Sequence, residues 1–267
     1  MKKKYWLIIT NEIQRQFTWR FNIAAYAFGN IAELISLIVI WSVVYESIDS
    51  IKGYSSQEMI GYVVFSWLFA FLTTSYAFEQ KVGEDIRMGT LSNFLVKPIG
   101  YIRYMIALSL GRSFIAFLVV ILQGILVVYI FNDAIASYAI DLKTSLLLVM
   151  MLIVAYFINL FLAILIGLIS FWTTEVSGIN FSVKVFIKLM SGSYFPINLL
   201  PIVFMKVSFF FPFVYTIFVP VQLYLGKISF MEGLRGLAIE IAWLFVLYGI
   251  IKLVWKFGLK KYESVGI

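Results

Sequence analysis

The chain has 267 residues, 62% of them hydrophobic and only 13% charged, with a mean hydropathy of +0.96. A soluble domain carries about 45–50% apolar and about 25% charged residues, so a soluble globule is excluded and an all-α integral membrane protein is expected. A formal charge of +7 could suggest nucleic acid, but the cations sit at the ends of apolar runs rather than along one soluble face, and the absence of Cys and His rules out disulfides, imidazole or thiolate metal sites and Ser-His-Asp catalysis.

The opening MKKKYWLIITNEIQRQ is basic, but Asn11 and Glu12 end its apolar run after about six residues, short of the ~7–15 of a secretory signal, so it is expected to stay uncleaved. Trp6, Ile9, Ile13 and Phe17 recur at helical spacing, with Asn11, Glu12, Gln14 and Arg15 on the other side. That pattern predicts an amphipathic helix over residues 1–20, lying in the inner membrane interface.

Because a helix needs roughly 20 apolar residues to cross a ~30 Å hydrocarbon core, six spans are predicted. The first runs from Phe21 to Tyr45, the second from Met59 to Phe78, the third from Tyr104 to Phe131 and the fourth from Thr144 to Trp172. A short fifth covers Phe181 to Tyr194, and the last covers Leu234 to Phe257. No repeat and no linker for a soluble domain interrupts them, so residues 1–267 form one transmembrane domain.

Between the second and third spans lies GEDIRMGTLSNFLVKPI, Gly83 to Ile99, within a predicted cytoplasmic loop over 79–103. Glu84, Asp85, Arg87 and Lys97 surround the turn signals Gly89 and Pro98, while Leu91, Phe94 and Leu95 offer an apolar anchor with a polar rim, the usual anatomy of a protein interface. A merely solvated loop explains Lys97 and Arg103 but accounts less readily for Glu84 and Asp85. Near the other end, Pro196, Pro201, Pro212 and Pro220 break an apolar stretch containing Phe204, Phe209, Phe210, Phe211, Phe213, Tyr215 and Phe218. Non-helical backbone at membrane depth survives only inside protein or beside water, so a re-entrant segment over 195–222 is expected before the last span. Its aromatics either close a pathway or sit in the aromatic belt.

Lysines and arginines are retained on the cytoplasmic side. With both termini inside, 16 of the 21 are cytoplasmic, among them Lys184 and Lys188, and Lys52, Lys143, Lys206, Lys227 and Arg235 are outside. An ionisable group inside a span costs roughly 2.5–3.5 kcal/mol and demands a partner or a cavity. Glu33, the one central carboxylate of this reading, is expected in a translocation path, with Gln123 and Asn159 at similar depth. A structural hydrogen bond to a neighbouring helix is an equal alternative for it. Arg112 is expected to snorkel to the inner surface, and Glu240 to sit at the outer interface.

The order of the amphipathic first helix, the loop VGEDIRMGTLSNFLVKPI, the SGSYFPINLLP string from Ser191 to Pro201 and the proline-broken segment resembles the permease subunits of type-2 ATP-binding-cassette exporters, in their six-span branch. The resemblance implies a coupling role for Glu84, Asp85, Arg87, Gly89, Leu91 and Lys97 against an ATP-binding subunit. It places Tyr194, Phe195 and Pro196 near an extracellular gate. It further implies a multi-pass protein of the cell membrane working as a dimer, with a second copy or a related permease and two ATP-binding subunits. The chain has no GxxxxGK[ST] phosphate loop, so ATP and Mg are expected on the partner, with no cofactor and no catalytic or metal residues on this chain. The 18% aromatic share suggests an apolar or amphipathic cargo such as a lipid, lipopeptide or cationic drug. There is no large outer domain of the kind some pump-like relatives carry. The competing class is a self-sufficient channel or proton-coupled carrier using Glu33, against which stand the missing His relay and the lack of inverted repeats. An intramembrane enzyme is unsupported, because no paired carboxylates or metal ligands are evident.

Overall fold

Backbone in hydrocarbon must satisfy its own hydrogen bonds, and the apolar runs accordingly fold as helices. A computed structural model describes residues 2–18, 20–74, 78–130, 140–173 and 177–262. Helix α1 (Lys2–Thr18) precedes α2 (Arg20–Val44), and a two-stranded antiparallel hairpin of β1 (Ser50–Ile51) and β2 (Tyr54–Ser55) leads into α3 (Ser56–Thr73). Then come α4 (Phe78–Arg87), α5 (Ser92–Leu95), α6 (Tyr101–Ile130) and α7 (Leu142–Leu168). The chain continues through α8 (Ser177–Ser191), α9 (Ile202–Phe210), α10 (Phe213–Thr216), α11 (Phe218–Tyr224) and α12 (Phe230–Leu259). Phe131 and Asp133, which the sequence places at and beyond the end of the third span, lie outside the described residues.

Local sequence explains where these helices begin. Ser55 and Glu58 form a reciprocal capping box at α3, Ser229 and Glu232 form another at α12, and the Asp141 carboxylate accepts the Thr144 amide at α7. The four prolines fall where a missing N–H costs least. Pro196 precedes a 3₁₀ turn at Ile197–Leu199, Pro201 and Pro212 occupy the caps of α9 and α10, and Pro220 sits in the first turn of α11.

Among the described residues, five helical stretches are long and apolar enough to span a membrane: those containing Ala27–Val44, Ser56–Arg87, Tyr101–Val127, Leu142–Phe171 and Phe230–Leu259. A sixth arises if α9 and the α10–α11 pair, bent by 83° at Phe211–Pro212, count as one broken span. The predicted fifth span corresponds to α8, whose 15 residues extend only about 22 Å.

Helix α7 is the centre of the molecule, touching α3, α4, α10, α11 and α12. It runs parallel to α12: Gly233 lies against Leu147, Gly236 against Met151 and Gly258 against Phe171. One apolar core, around Tyr62, Trp67, Met151, Val214 and Phe218, fills the hairpin end. The other, around Val82, Leu91, Met105, Ile164 and Ile251, fills the α4–α5 end. Between apolar helices in lipid, close van der Waals contact rather than escape from water supplies the cohesion, so small residues at crossings matter. By contrast α2 turns Ile35, Val39, Ile40 and Val43 outward, each more than half exposed.

Candidate functional site

The segment expected as a loop over 79–103 is instead mostly helical, α4 followed by the one-turn α5, and it is tied firmly to its own chain. Asp85 is buried and collects three partners. Lys81 Nζ donates to it at 2.7 Å, Thr90 Oγ1 at 2.9 Å and Tyr101 Oη at 2.9 Å. The Leu91 amide bonds the Asp85 carbonyl at 2.8 Å, and Leu91 itself is fully buried in the core. Gly89 turns with φ +72°, and its carbonyl accepts Tyr262 Oη, which in turn accepts the Ser92 amide. Glycines also let α4 lie directly on α7. A Cβ on Gly167 would stand 2.5 Å from Val82 Cβ and 2.8 Å from the Glu79 carbonyl oxygen, and one on Gly83 would stand 2.8 Å from Ser170 Oγ. Asp85, Gly89 and Leu91 therefore face inward, whereas Glu84, Arg87, Met88, Leu95, Val96 and Lys97 form the exposed outer surface.

Helix α1 is locked to α6 by Glu12, which is 4% exposed. Its carboxylate accepts Arg15 Nε and Nη2 and Gln16 Nε2, each at 2.8 Å, and Arg112 Nε at 3.0 Å. Burial alone pushes the Glu12 carboxyl up, but hydrogen bonds from Arg15, Gln16 and Arg112 outweigh it and hold the group below the ordinary carboxylate value. Gly111 permits the contact, since a Cβ there would lie 2.8 Å from the Ile9 carbonyl oxygen. Arg112 thus does not simply snorkel to the surface: it pairs with Glu12, and its guanidinium sits 5.1 Å from the Phe78 ring centroid.

A cavity of about 370 Å³ opens between α2, α3, α4, α7 and α8. Glu33 and Asn159 line it, as the sequence suggests, but Gln123 lies elsewhere, its amide donating to the Ala27 carbonyl at 2.9 Å. Glu33 has a partner the sequence reading missed: Lys188 Nζ, at 2.6 Å. One turn earlier on the same helix, Lys184 pairs with Glu79, whose side chain is 1% exposed. These two lysines, counted in the sequence only as cytoplasmic-side cations, belong to the cavity wall. Their spacing of four residues in an otherwise apolar helix was the available signal. Glu79 and Glu240 are more deeply buried in the protein than Glu33. Glu240, expected at an interface, is fully buried on α12, and neither carboxylate oxygen has a hydrogen-bond partner.

The SGSYFP string closes the cavity toward the hairpin end. Ser191, Ser193, Thr216 and Ile217 line this part of the wall. Gly192 has φ +80°, a conformation natural to glycine. Its carbonyl accepts Tyr62 Oη at 2.6 Å, the Ser193 carbonyl accepts Ser66 Oγ at 3.0 Å, and the Tyr194 carbonyl accepts Trp41 Nε1 at 3.1 Å. Tyr194 and Phe195 are half-buried and Pro196 is buried. Beyond them, Lys52 Nζ reaches the carbonyls of Asn198 and Leu199 at 3.0 and 3.3 Å.

Apolar helices of spanning length around a partly charged cavity suit a transport component. No curated protein matches this sequence. Residues 31–266 match the family model described as ABC-2 family transporter protein, which covers most of the chain and every element of the site except α1 and the first part of α2. The chain is therefore a multi-pass membrane protein belonging to the ABC-2 transporter family.

Proposed function

We propose that the chain is the transmembrane subunit of an ATP-driven exporter, moving an apolar or amphipathic cargo outward together with a second copy or a related permease. Two separate ATP-binding subunits carry ATP and Mg and supply the energy. The single observation that carries this reading, beyond family membership, is the α4–α5 elbow. It offers an exposed rim of Glu84, Arg87 and Lys97 around Met88, Leu95 and Val96, while Asp85 and Leu91 fasten its inner side to the core. A surface that must receive a push needs both an outward contact and a stiff inward attachment, and this segment has each. Glu84, Arg87 and Lys97 make the contact in this reading, while Asp85, Gly89 and Leu91 hold its shape.

The remaining parts take their places accordingly. Helix α1, with residues 1–20, lies in the inner interface, and the α9–α11 segment within 195–222 is a re-entrant element on the outer side. Tyr194, Phe195 and Pro196 stand at the outer gate. Both termini are cytoplasmic and the membrane is the cell membrane. A carrier built on Glu33 as a free proton site is less well supported, because Lys188 holds that carboxylate in an ion pair.

The test is purification of the tagged chain from its native membrane in mild detergent, with mass identification of what accompanies it. An ATP-binding subunit is the expected companion, and Glu84→Ala with Arg87→Ala is expected to abolish ATP-driven transport while leaving membrane insertion intact. Transport that persists without ATP, or unchanged in the double variant, overturns the reading.

A further inference from the structure

The cavity's charges are arranged asymmetrically. Glu79 is 1% exposed behind Lys184, which is 53% exposed, and Glu33 is 34% exposed beside Lys188 at 43%. On α8, where the lysines stand one helical turn and about 6 Å apart along the cavity wall, their side chains are the more exposed member of each ion pair. An ammonium has three N–H donors: Lys184 spends one on Glu79, while Lys188 spends one on Glu33 and also meets the Tyr194 side chain, its Nζ 5.3 Å from that ring's centroid. The paired carboxylates offset both ammonium charges, which limits the cost of holding two lysines among apolar helices. Opposite them the wall is apolar: Leu37, Trp67, Phe71, Leu162 and Ile166.

We infer that this cavity binds an amphiphile with an anionic head, a phosphate or carboxylate, seated on Lys184 and Lys188 with its tail along Trp67 and Phe71. The inference deepens the exporter reading by naming the class of its cargo, and it excludes the cationic amphiphile that aromatic content alone would equally allow. An anion accepts the spare ammonium donors in charge-assisted hydrogen bonds. A cation would meet the better-exposed side of both ion pairs and be repelled.

The experiment uses the full chain, with any subunits that copurify, in phosphatidylcholine nanodiscs and without ATP, so its outcome is independent of whether ATP drives transport. Saturable binding of radiolabelled dodecyl phosphate is measured after subtracting empty nanodiscs, with dodecyltrimethylammonium and inorganic phosphate as competitors. Saturable binding that neither competitor displaces is the expected result. The joint change Glu33→Gln with Lys188→Gln, which leaves no charge unpaired, should weaken it about tenfold, while Lys188→Arg should retain it. Three results overturn the inference: no saturable binding, displacement by the cationic amphiphile, or an affinity unchanged in the double variant. Full displacement by inorganic phosphate overturns it too, since the occupant would then be a free anion with no need of the apolar wall. The partner-recovery experiment can fail while this one succeeds, and the reverse.

Discussion

The two ends of the helical bundle solve the problem of polar groups in an apolar protein differently. At the α4–α5 end, charge answers charge: Lys81 meets Asp85, and Arg15 with Arg112 meets Glu12. At the hairpin end, side chains mainly answer backbone. Tyr62, Ser66, Trp41 and Lys52 all donate to carbonyls between Gly192 and Leu199, and Lys227 donates to the Gly53 carbonyl at 3.1 Å while also pairing with Glu58. The reason is the state of the chain. Helices α4 and α1 have satisfied backbones, so only their side chains need partners. The proline-broken stretch exposes carbonyls that no helix consumes, and these need donors. One end is therefore held by a few strong knots and the other by many weaker ties.

That contrast can be broken first at its strongest knot. Asp85→Ala leaves Lys81, Thr90 and Tyr101 without their common acceptor and should cost about 3 kcal/mol, seen as a lower thermal unfolding midpoint of the purified protein. An unfolding midpoint equal to wild type would mean that the elbow is not held by charge. Next in size, Gly167→Val forces α4 away from α7 at Val82 and the Glu79 carbonyl, with an overpacking cost of about 1–3 kcal/mol. Protease cleavage within residues 84–97 should rise with it, and an unchanged digestion pattern would contradict the close crossing. At the opposite end Tyr62→Phe removes a single tie to the Gly192 carbonyl and should cost about 1 kcal/mol by the same unfolding assay, clearly less than Asp85→Ala. Equal losses would erase the distinction between knots and ties.

The smallest effect concerns pH. Because Glu12 titrates below its ordinary value of 4.5 in the folded protein, its contribution is complete above that pH and is lost as pH falls from there through the lowered folded value. Release of α1 should therefore appear only on acidification below about 4.5, followed by proteolysis of residues 2–18. In Glu12→Gln this acid step should vanish, and a step that survives would assign it to another group.

Much of the fold was legible in the sequence because length and apolarity alone fix a spanning helix. Pro196, Pro201, Pro212 and Pro220, read as breaks, stand where the structure caps or starts its short helices and turns. The polar pairing was not legible. Glu12 and Arg112 are 100 residues apart, Glu79 and Lys184 are 105, and Glu33 and Lys188 are 155. No local periodicity encodes such partners, so the lysines of α8 read only as cytoplasmic-side charges and Glu240 as an interfacial residue. The helical order within 79–103 was not legible for a related reason. Glycine 83 lowers helix propensity, but here it serves the crossing with Ser170, and tertiary contact overrides propensity.

The parallel packing of α7 and α12 has a consequence for how the protein is made. Two helices inserted in the same direction cannot be sequential neighbours, so the chain must first lay down α8 and the bent α9–α11 segment. During synthesis from the N-terminus, the face of α7 around Leu147 and Met151, with Phe171 just past its end, waits in lipid or under a chaperone until α12 emerges. A ribosome stalled before Phe230 would therefore leave a membrane intermediate whose central helix lacks its main companion, a recognisable target for membrane quality control.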